Sequence, residues 1–263
     1  MQALKNALKR TFLYDALRRE REKRALRRWT AHDDEMAAFY SAFVSRGGLC
    51  FDVGANVGNR VKIFLALGAR VVAVEPQDDC VRMLRAIHGR NPSLVILPQV
   101  LGAAEGEAEI MLSDASTISS MSPQWVEAVR SSGRFAGHRW DRAKRVAMTT
   151  LDRLIAAHGM PSFIKIDVEG FESEVLKGLT RPVAALSFEF TPEFLDAALA
   201  CVEHLRRLGD VRFNFALGES MRLELPEWVP AEEAAARLTR WRGDAGVFGD
   251  VYARFIAPGE PAR

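Results

Sequence analysis

Short apolar runs that alternate with helical patterns constrain this chain more than any other feature. Leu49-Cys50-Phe51-Asp52-Val53 reads as a buried strand, and Val57 to Leu67 as a helix closed by Gly68. Arg70-Val71-Val72-Ala73-Val74-Glu75 is the next strand, Asp78 to His88 the next helix, and Leu94 to Val100 a third strand. Further on, Thr150-Leu151-Asp152 opens a helix that ends near Gly159. Phe163 to Asp167 is a strand and Phe171 to Lys177 a short helix stopped by Gly178. Ala184 to Phe190 is a strand. Thr191-Pro192-Glu193 starts a helix with a cap, a proline in the first turn and an acid. Val211 to Leu217 and Val251 to Ile256 close the pattern. Strands spaced in this way by helices predict a mostly parallel sheet with helices on both faces.

Residues 102–148 interrupt the rhythm. Glu107 to Leu112 reads as an extra strand with Arg145 to Met148 as its partner. Between them lies a Ser-, Gly- and Arg-rich stretch containing Pro123, Trp125, His138 and Trp140. So long an excursion in a compact domain reads as a lid or substrate loop, here 113–145.

The charge is unevenly spread. The chain of 263 residues carries a net charge of +2. Residues 1–30 hold ten basic side chains against three acidic ones, a segment of +7 that leaves −5 for the rest. Leu4, Leu8, Phe12 and Ala16 recur at helical spacing within it, opposite a basic face. The segment reads as a helical arm, 1–46, before a main domain at 47–263. It either docks on that domain or forms a solvated cap, or it attaches to an anionic membrane surface or a partner. An acidic body gives no reason to expect a nucleic-acid partner. Cys50, Cys80 and Cys201 are far apart and form no CxxC pair, which fits a reducing, cytoplasmic setting.

The strongest local signal is Phe51-Asp52-Val53-Gly54-Ala55-Asn56-Val57-Gly58, at a strand end that opens a helix. Its glycines let backbone approach a ligand closely. Asn56 replaces the second glycine of a dinucleotide turn, and no phosphate-loop Lys follows, so pyrophosphate is disfavoured. Asp52 suits a cationic ligand group. Glu75, ending the second strand, stands where an acid holds ribose hydroxyls. A ligand with a ribose, a positive charge and no phosphate is S-adenosylmethionine.

These residues resemble the FkbM family of S-adenosylmethionine-dependent methyltransferases. The matching segments are 51–58, Val74-Glu75-Pro76, Thr149-Thr150-Leu151-Asp152 and the run from Phe163 to Glu172, continued by Val175-Leu176-Lys177-Gly178. The resemblance implies a class I methyltransferase fold. That is a Rossmann-like three-layer sandwich with a seven-stranded, mostly parallel sheet and an antiparallel edge strand. It implies methylation of a hydroxyl on a sugar, glycan or natural product. By the same resemblance Asp52, Gly54, Asn56 and Gly58 would line the methionine part of the cofactor. Glu75 would hold the ribose and Pro76 shape the turn after it. Val100 would lie near the adenine, Ser116 would come close to the cofactor, and Asp167 and Glu169 would face the meeting point of cofactor and acceptor. Phe171 departs from the small residue common there.

Asp52, Glu75, Asp167 and Glu189 all fall at carboxyl ends of strands, where open α/β sheets bind ligands. Candidates for the base that takes the acceptor's proton are Asp167, Glu169 and His138. Lys165 either turns to the other face of its strand or neutralises a neighbouring acid. His32, His88, His158 and His204 read as structural. No metal ligand set is assigned. A hard cation between Asp167 and Glu189 would find only the Thr191 hydroxyl nearby. Two other readings are a nucleotide-dependent oxidoreductase, disfavoured by Asp52 and the absent glycine, and a non-catalytic binding protein on a methyltransferase fold, disfavoured by the intact acids.

Overall fold

The computed structural model describes residues 20–244 and 246–256. Residues 1–19, which hold most of the amphipathic pattern of the basic arm, lie outside the described residues, as do 245 and 257–263.

Helix α1 (Ala31–Tyr40) starts at a capping box. The Thr30 hydroxyl accepts from the Asp33 amide while Asp33 accepts from the Thr30 amide. β1 (Leu49–Val53) is buried at all five positions, as a central strand covered on both faces must be. It is followed by α2 (Asn59–Ala66), β2 (Arg70–Val74), α3 (Asp78–His88) and β3 (Leu94–Leu97). After an insertion come α5 (Leu151–His158), β7 (Phe163–Ile166), α6 (Glu172–Lys177), β8 (Ala185–Phe190), α7 (Leu195–Leu208), β9 (Val211–Leu217), α8 (Ala231–Arg240) and β10 (Gly249–Phe255).

The seven strands run in the order β3-β2-β1-β7-β8-β10-β9. The first five are mutually parallel. β10 runs antiparallel between β8 and β9, so the expected antiparallel pairing closes one edge of the sheet with β9 outermost. The chain order reverses between β1 and β7. Strand ends on either side of that switch point form the crevice where ligands bind in open sheets.

Two apolar layers sandwich the sheet. On one face Met36 and Tyr40 of α1 and Val61, Ile63 and Phe64 of α2 pack with Phe163 and Tyr252. Tyr40 meets Phe64 edge to face at 5.1 Å, and Phe43 stacks on Tyr252 at 5.3 Å. On the other face α5, α6, α7 and α8 contribute Leu154, Leu176, Val202 and Leu238. Helix α1 therefore packs in the main core, although the arm as read from the sequence, 1–46, includes it. Residues 20–27 are helical and rest against α3, where Arg27 Nη2 donates to the Ala86 carbonyl at 2.6 Å.

The insertion is more regular than its composition suggests. β4 (Val100–Leu101), β5 (Gly106–Ser113) and β6 (Trp140–Thr149) form a second, three-stranded sheet in the order β4-β6-β5. The apolar run 94–100 thus belongs to two sheets. Pro98, which has no amide hydrogen for a ladder, stands at the break. Between β5 and β6 lies α4 (Pro123–Ser132), where the sequence reading placed irregular chain. The Ser122 hydroxyl caps it by accepting from the Trp125 amide, Pro123 takes its first turn, and Gly133 closes it with φ 76°. Its apolar face, Trp125, Val126 and Val129, is only one turn long, which is why the helix is hard to read among the serines and arginines around it.

Candidate active site

The turn after β1 is shaped by two close approaches. Gly54 has φ 85°, and its amide donates to the Val74 carbonyl at 2.9 Å. A Cβ on Gly54 would stand 1.8 Å from the Asp167 carbonyl oxygen, so only glycine lets the ends of β1 and β7 come together here. Asn56 is also left-handed, at φ 48°, a conformation asparagine tolerates better than most residues.

Glu75, at the end of β2, is buried and uses both carboxylate oxygens on backbone. Oε2 accepts from the Asn56 amide at 2.8 Å and Oε1 from the Gln77 amide at 2.7 Å. Burial pushes its proton affinity up, and these two amides oppose the shift. The excursion closes over this corner. Asn56 Nδ2 donates to Ser116 Oγ at 3.3 Å, Gln77 Nε2 to the Ser116 carbonyl at 2.9 Å, and Ser119 Oγ to Gln77 Oε1 at 2.9 Å.

Asp52 is the least satisfied group. It is 2% exposed, and its Oδ2 has no hydrogen-bond partner. Burial pushes its pKa up to about 7, against the pull of Lys165 and Arg60. Lys165 is itself fully buried on β7 and donates to Asp167 Oδ2 at 3.2 Å and to Asp250 Oδ1 at 2.9 Å. Burial works against its charge, but Asp167 and Asp250 outweigh it and hold the ammonium protonated. Of its two anticipated roles, Lys165 therefore takes the second and neutralises neighbouring acids.

Beyond β7, one oxygen each from Asp167, Glu169 and Glu189 lies within 4.8 Å of the others. Burial, then Asp167 and Glu172, push Glu169 well above the ordinary carboxylate range. Burial, then Glu169 and Asp167, do the same to Glu189. Like charges this close favour the protonated forms of Glu169 and Glu189. Glu169 has a positive φ of 54°, and its carbonyl accepts from the Ser120 hydroxyl at 2.6 Å.

These groups enclose one cavity of about 280 Å³ at the carboxyl ends of β1, β2, β7 and β8. Of the residues singled out on sequence, Asp52, Gly54, Asn56, Glu75, Pro76, Val100, Ser116, Asp167 and Glu169 line it. Gly58 does not. It gives α2 its start with φ 93°, and a Cβ there would lie 2.5 Å from Leu84 Cδ2. His138 is also off the wall. It is exposed in the loop before β6, with Nδ1 2.8 Å from Asp114. Sequence reasoning missed Arg60, Gln77, Ser119 and Glu219 on the wall, and Asp250 behind it. Arg60 falls three and four residues before the buried Ile63 and Phe64, a helical spacing that marks an inward-facing cation.

The orphaned Asp52 oxygen and the glycine approach at 54 fit a cationic guest held close to backbone. The sheet order is that of the class I methyltransferase fold. More narrowly, the chain matches the Methyltransferase FkbM domain over residues 52–218, and it belongs to this family of S-adenosylmethionine-dependent methyltransferases. Over 142 residues it is 29% identical to the hexuronic acid methyltransferase AglP of Haloferax volcanii, covering 52% of each sequence. The chain thus spans about half the length of the curated relative it matches. Among solved structures it is similar to precorrin-6y C5,15-methyltransferase from Geobacter metallireducens, with 11% identity, 84% and 86% of the two chains covered and a TM-score of 0.45. It is also similar to an S-adenosylmethionine-dependent O-methyltransferase from Thermotoga maritima, with 9% identity, 85% and 65% covered and a TM-score of 0.40. No helix among the described residues is long and apolar enough to cross a membrane.

Proposed function

We propose that this methyltransferase acts on a hydroxyl of a sugar or glycan, with its cofactor in the cavity at the ends of β1, β2, β7 and β8. The observation that carries this reading is the convergence there of Asp52, Glu75, Asp167, Glu169 and Glu189. Carboxylates gathered around an orphaned, buried Asp52 oxygen suit a positively charged guest and hydroxyl donors better than any anionic one. The hexuronic acid specificity named for the Haloferax volcanii relative favours a sugar over other acceptors.

When bound, S-adenosylmethionine supplies an electrophilic methyl group on a cationic sulfur. The chain's own residues do the rest. Glu75 offers its remaining lone pairs to the ribose hydroxyls, while the Asn56 and Gln77 amides fix its orientation. Asp52 and Asp167 supply negative charge at the floor, and Lys165 holds Asp167 in place. Glu169, whose proton affinity is raised by burial and by Asp167, accepts the acceptor's hydroxyl proton. Only the ionised form of Glu169 can take that proton, and burial and Asp167 oppose that form. His138, outside the wall and paired with Asp114, is left as an alternative base only if its loop closes over the cavity. Much of the acceleration comes from holding the reacting groups in one geometry.

Calorimetry with S-adenosylhomocysteine tests the cofactor assignment. Asp52→Ala and Glu75→Ala should each weaken binding, and undiminished binding in both would remove it. Methyl transfer to hexose and hexuronic acid glycosides tests the acceptor. A methyl ether resists mild alkali and a methyl ester does not. An alkali-labile product alone would show that a carboxylate, not a hydroxyl, is the acceptor. The charge of residues 1–30 favours a further role for that segment, contact with an anionic membrane surface. Equal flotation on anionic vesicles of the full chain and of one lacking residues 1–30 would remove that role.

A further inference from the structure

The cavity wall carries six carboxylates, on Asp52, Glu75, Asp167, Glu169, Glu189 and Glu219, and among the described residues a single cation, Arg60. Arg60 sits on the first turn of α2, and its side chain is only 17% exposed. Its inner edge is held by the core face of α1, where Nε donates to the Tyr40 hydroxyl and Nη1 to the Met36 sulfur, both at 3.2 Å. Its outer nitrogen, Nη2, donates to Glu219 at 2.7 Å. Glu219 is a different kind of partner. It follows Gly218, whose φ is 54°, on the loop after β9, and its side chain is 64% exposed.

We infer that Arg60 is the carboxylate-receiving group of the cavity and that Glu219 is its stand-in, displaced when a ligand carboxylate arrives. This rests on the reading of the cavity as the cofactor and acceptor site. A carboxylate entering a space with six others is repelled unless it meets a cation, and guanidinium binds carboxylates in a two-pronged geometry. Tyr40 and Met36 keep the guanidinium oriented whatever occupies its outer edge. Glu219, with its side chain 64% exposed, can swing back into water while Arg60 keeps its Tyr40 and Met36 contacts. A permanent structural pair would instead be sealed on both sides, as Lys165 and Asp250 are. Two ligands can bring the carboxylate, the methionyl end of the cofactor or an acidic sugar acceptor.

Calorimetry on the full chain decides between them. The probes are S-adenosylhomocysteine, 5′-methylthioadenosine, which lacks the methionyl carboxylate, and glucuronate added to protein saturated with S-adenosylhomocysteine. If the cofactor supplies the group, Arg60→Gln weakens S-adenosylhomocysteine about tenfold or more and leaves methylthioadenosine within about twofold. If the acceptor supplies it, the same variant loses glucuronate and keeps both nucleosides. In either case Glu219→Gln tightens the carboxylate-bearing probe, by about threefold or more. A pair that merely braces the loop would weaken binding or leave it unchanged. The inference is overturned if Arg60→Gln affects the three probes alike, or if Glu219→Gln tightens none of them. Should Arg60→Gln fail to fold, Glu219→Gln alone decides. A wild-type chain that binds no S-adenosylhomocysteine would remove the underlying reading, and the inference with it. That result is distinct from wild-type binding that the variants do not change.

Discussion

Lys165 and Asp250 meet at 2.9 Å inside the sheet, although β8 lies between their strands. The ammonium of Lys165 reaches past that strand to one acid and along its own strand to Asp167. Lys165→Met should therefore strand two carboxylates at once. Breaking one side of a buried pair costs about 3–5 kcal/mol. We expect a large fall in thermal midpoint, partly recovered when Asp250→Asn is added. A double variant no more stable than the single one would contradict the pairing.

Asp52, with a pKa pushed up to about 7, is partly protonated in the free protein at neutral pH. A cationic guest favours the ionised form, so binding should release a proton. Affinity for S-adenosylmethionine should rise between pH 6 and 8, whereas that for uncharged-sulfur S-adenosylhomocysteine should rise less. Calorimetry in buffers of different ionisation enthalpy counts the proton. Identical pH profiles for the two ligands, or no proton released, would mean that Asp52 does not sense the sulfonium.

Glu172 lies 4% exposed at the start of α6, where Oε1 accepts from the Val168 and Gly170 amides, and burial pushes its pKa up to about 7. Its folded pKa exceeds its unfolded one. The stability it contributes is thus intact below about pH 4.5 and lost as pH rises through 7. Glu172→Gln keeps an acceptor oxygen and removes the charge. Denaturant titrations should show it more stable than wild type at pH 8 by on the order of 2–3 kcal/mol, with the advantage shrinking towards pH 5. A constant difference across that range would place the effect elsewhere.

Gly54→Ala meets both the left-handed φ and the Asp167 carbonyl. We expect a loss of about 2–5 kcal/mol, the sum of αL strain and overpacking, with loss of nucleoside binding. Gly137→Ala, where a Cβ would meet nothing within 4 Å, is the matched control and should be silent in both measurements.

The layered sheet was legible because its strands are continuous apolar runs and its helices are capped by recognisable residues. The turn at 54–58 and the acid at 75 were legible because their chemistry is local. What escaped the sequence reading was contact between distant segments. Asp250 sits just before the apolar run at Val251 and reads as a strand boundary until β10 is inserted beside β8. Glu219 belongs to a loop with no pattern of its own. Helix α4 hid behind a one-turn apolar face, and the run 94–100 gave no sign that it would divide between two sheets. His138 drew notice as a titratable residue in an irregular stretch, but nothing local could say on which side of the loop it would fall.

The segment matched by the family, 52–218, ends one residue before Glu219 and begins after α1. Tyr40 and Met36, which steady Arg60, and Asp250, which steadies Lys165, all lie outside it. The matched segment thus carries five of the six wall carboxylates and the glycine turn, while the flanks set where the two cations stand. Exchanging a flank could change what charge of guest the enzyme accepts and leave the nucleoside grip untouched. For a protein engineer, the ends of this chain are the dial and the middle is the socket.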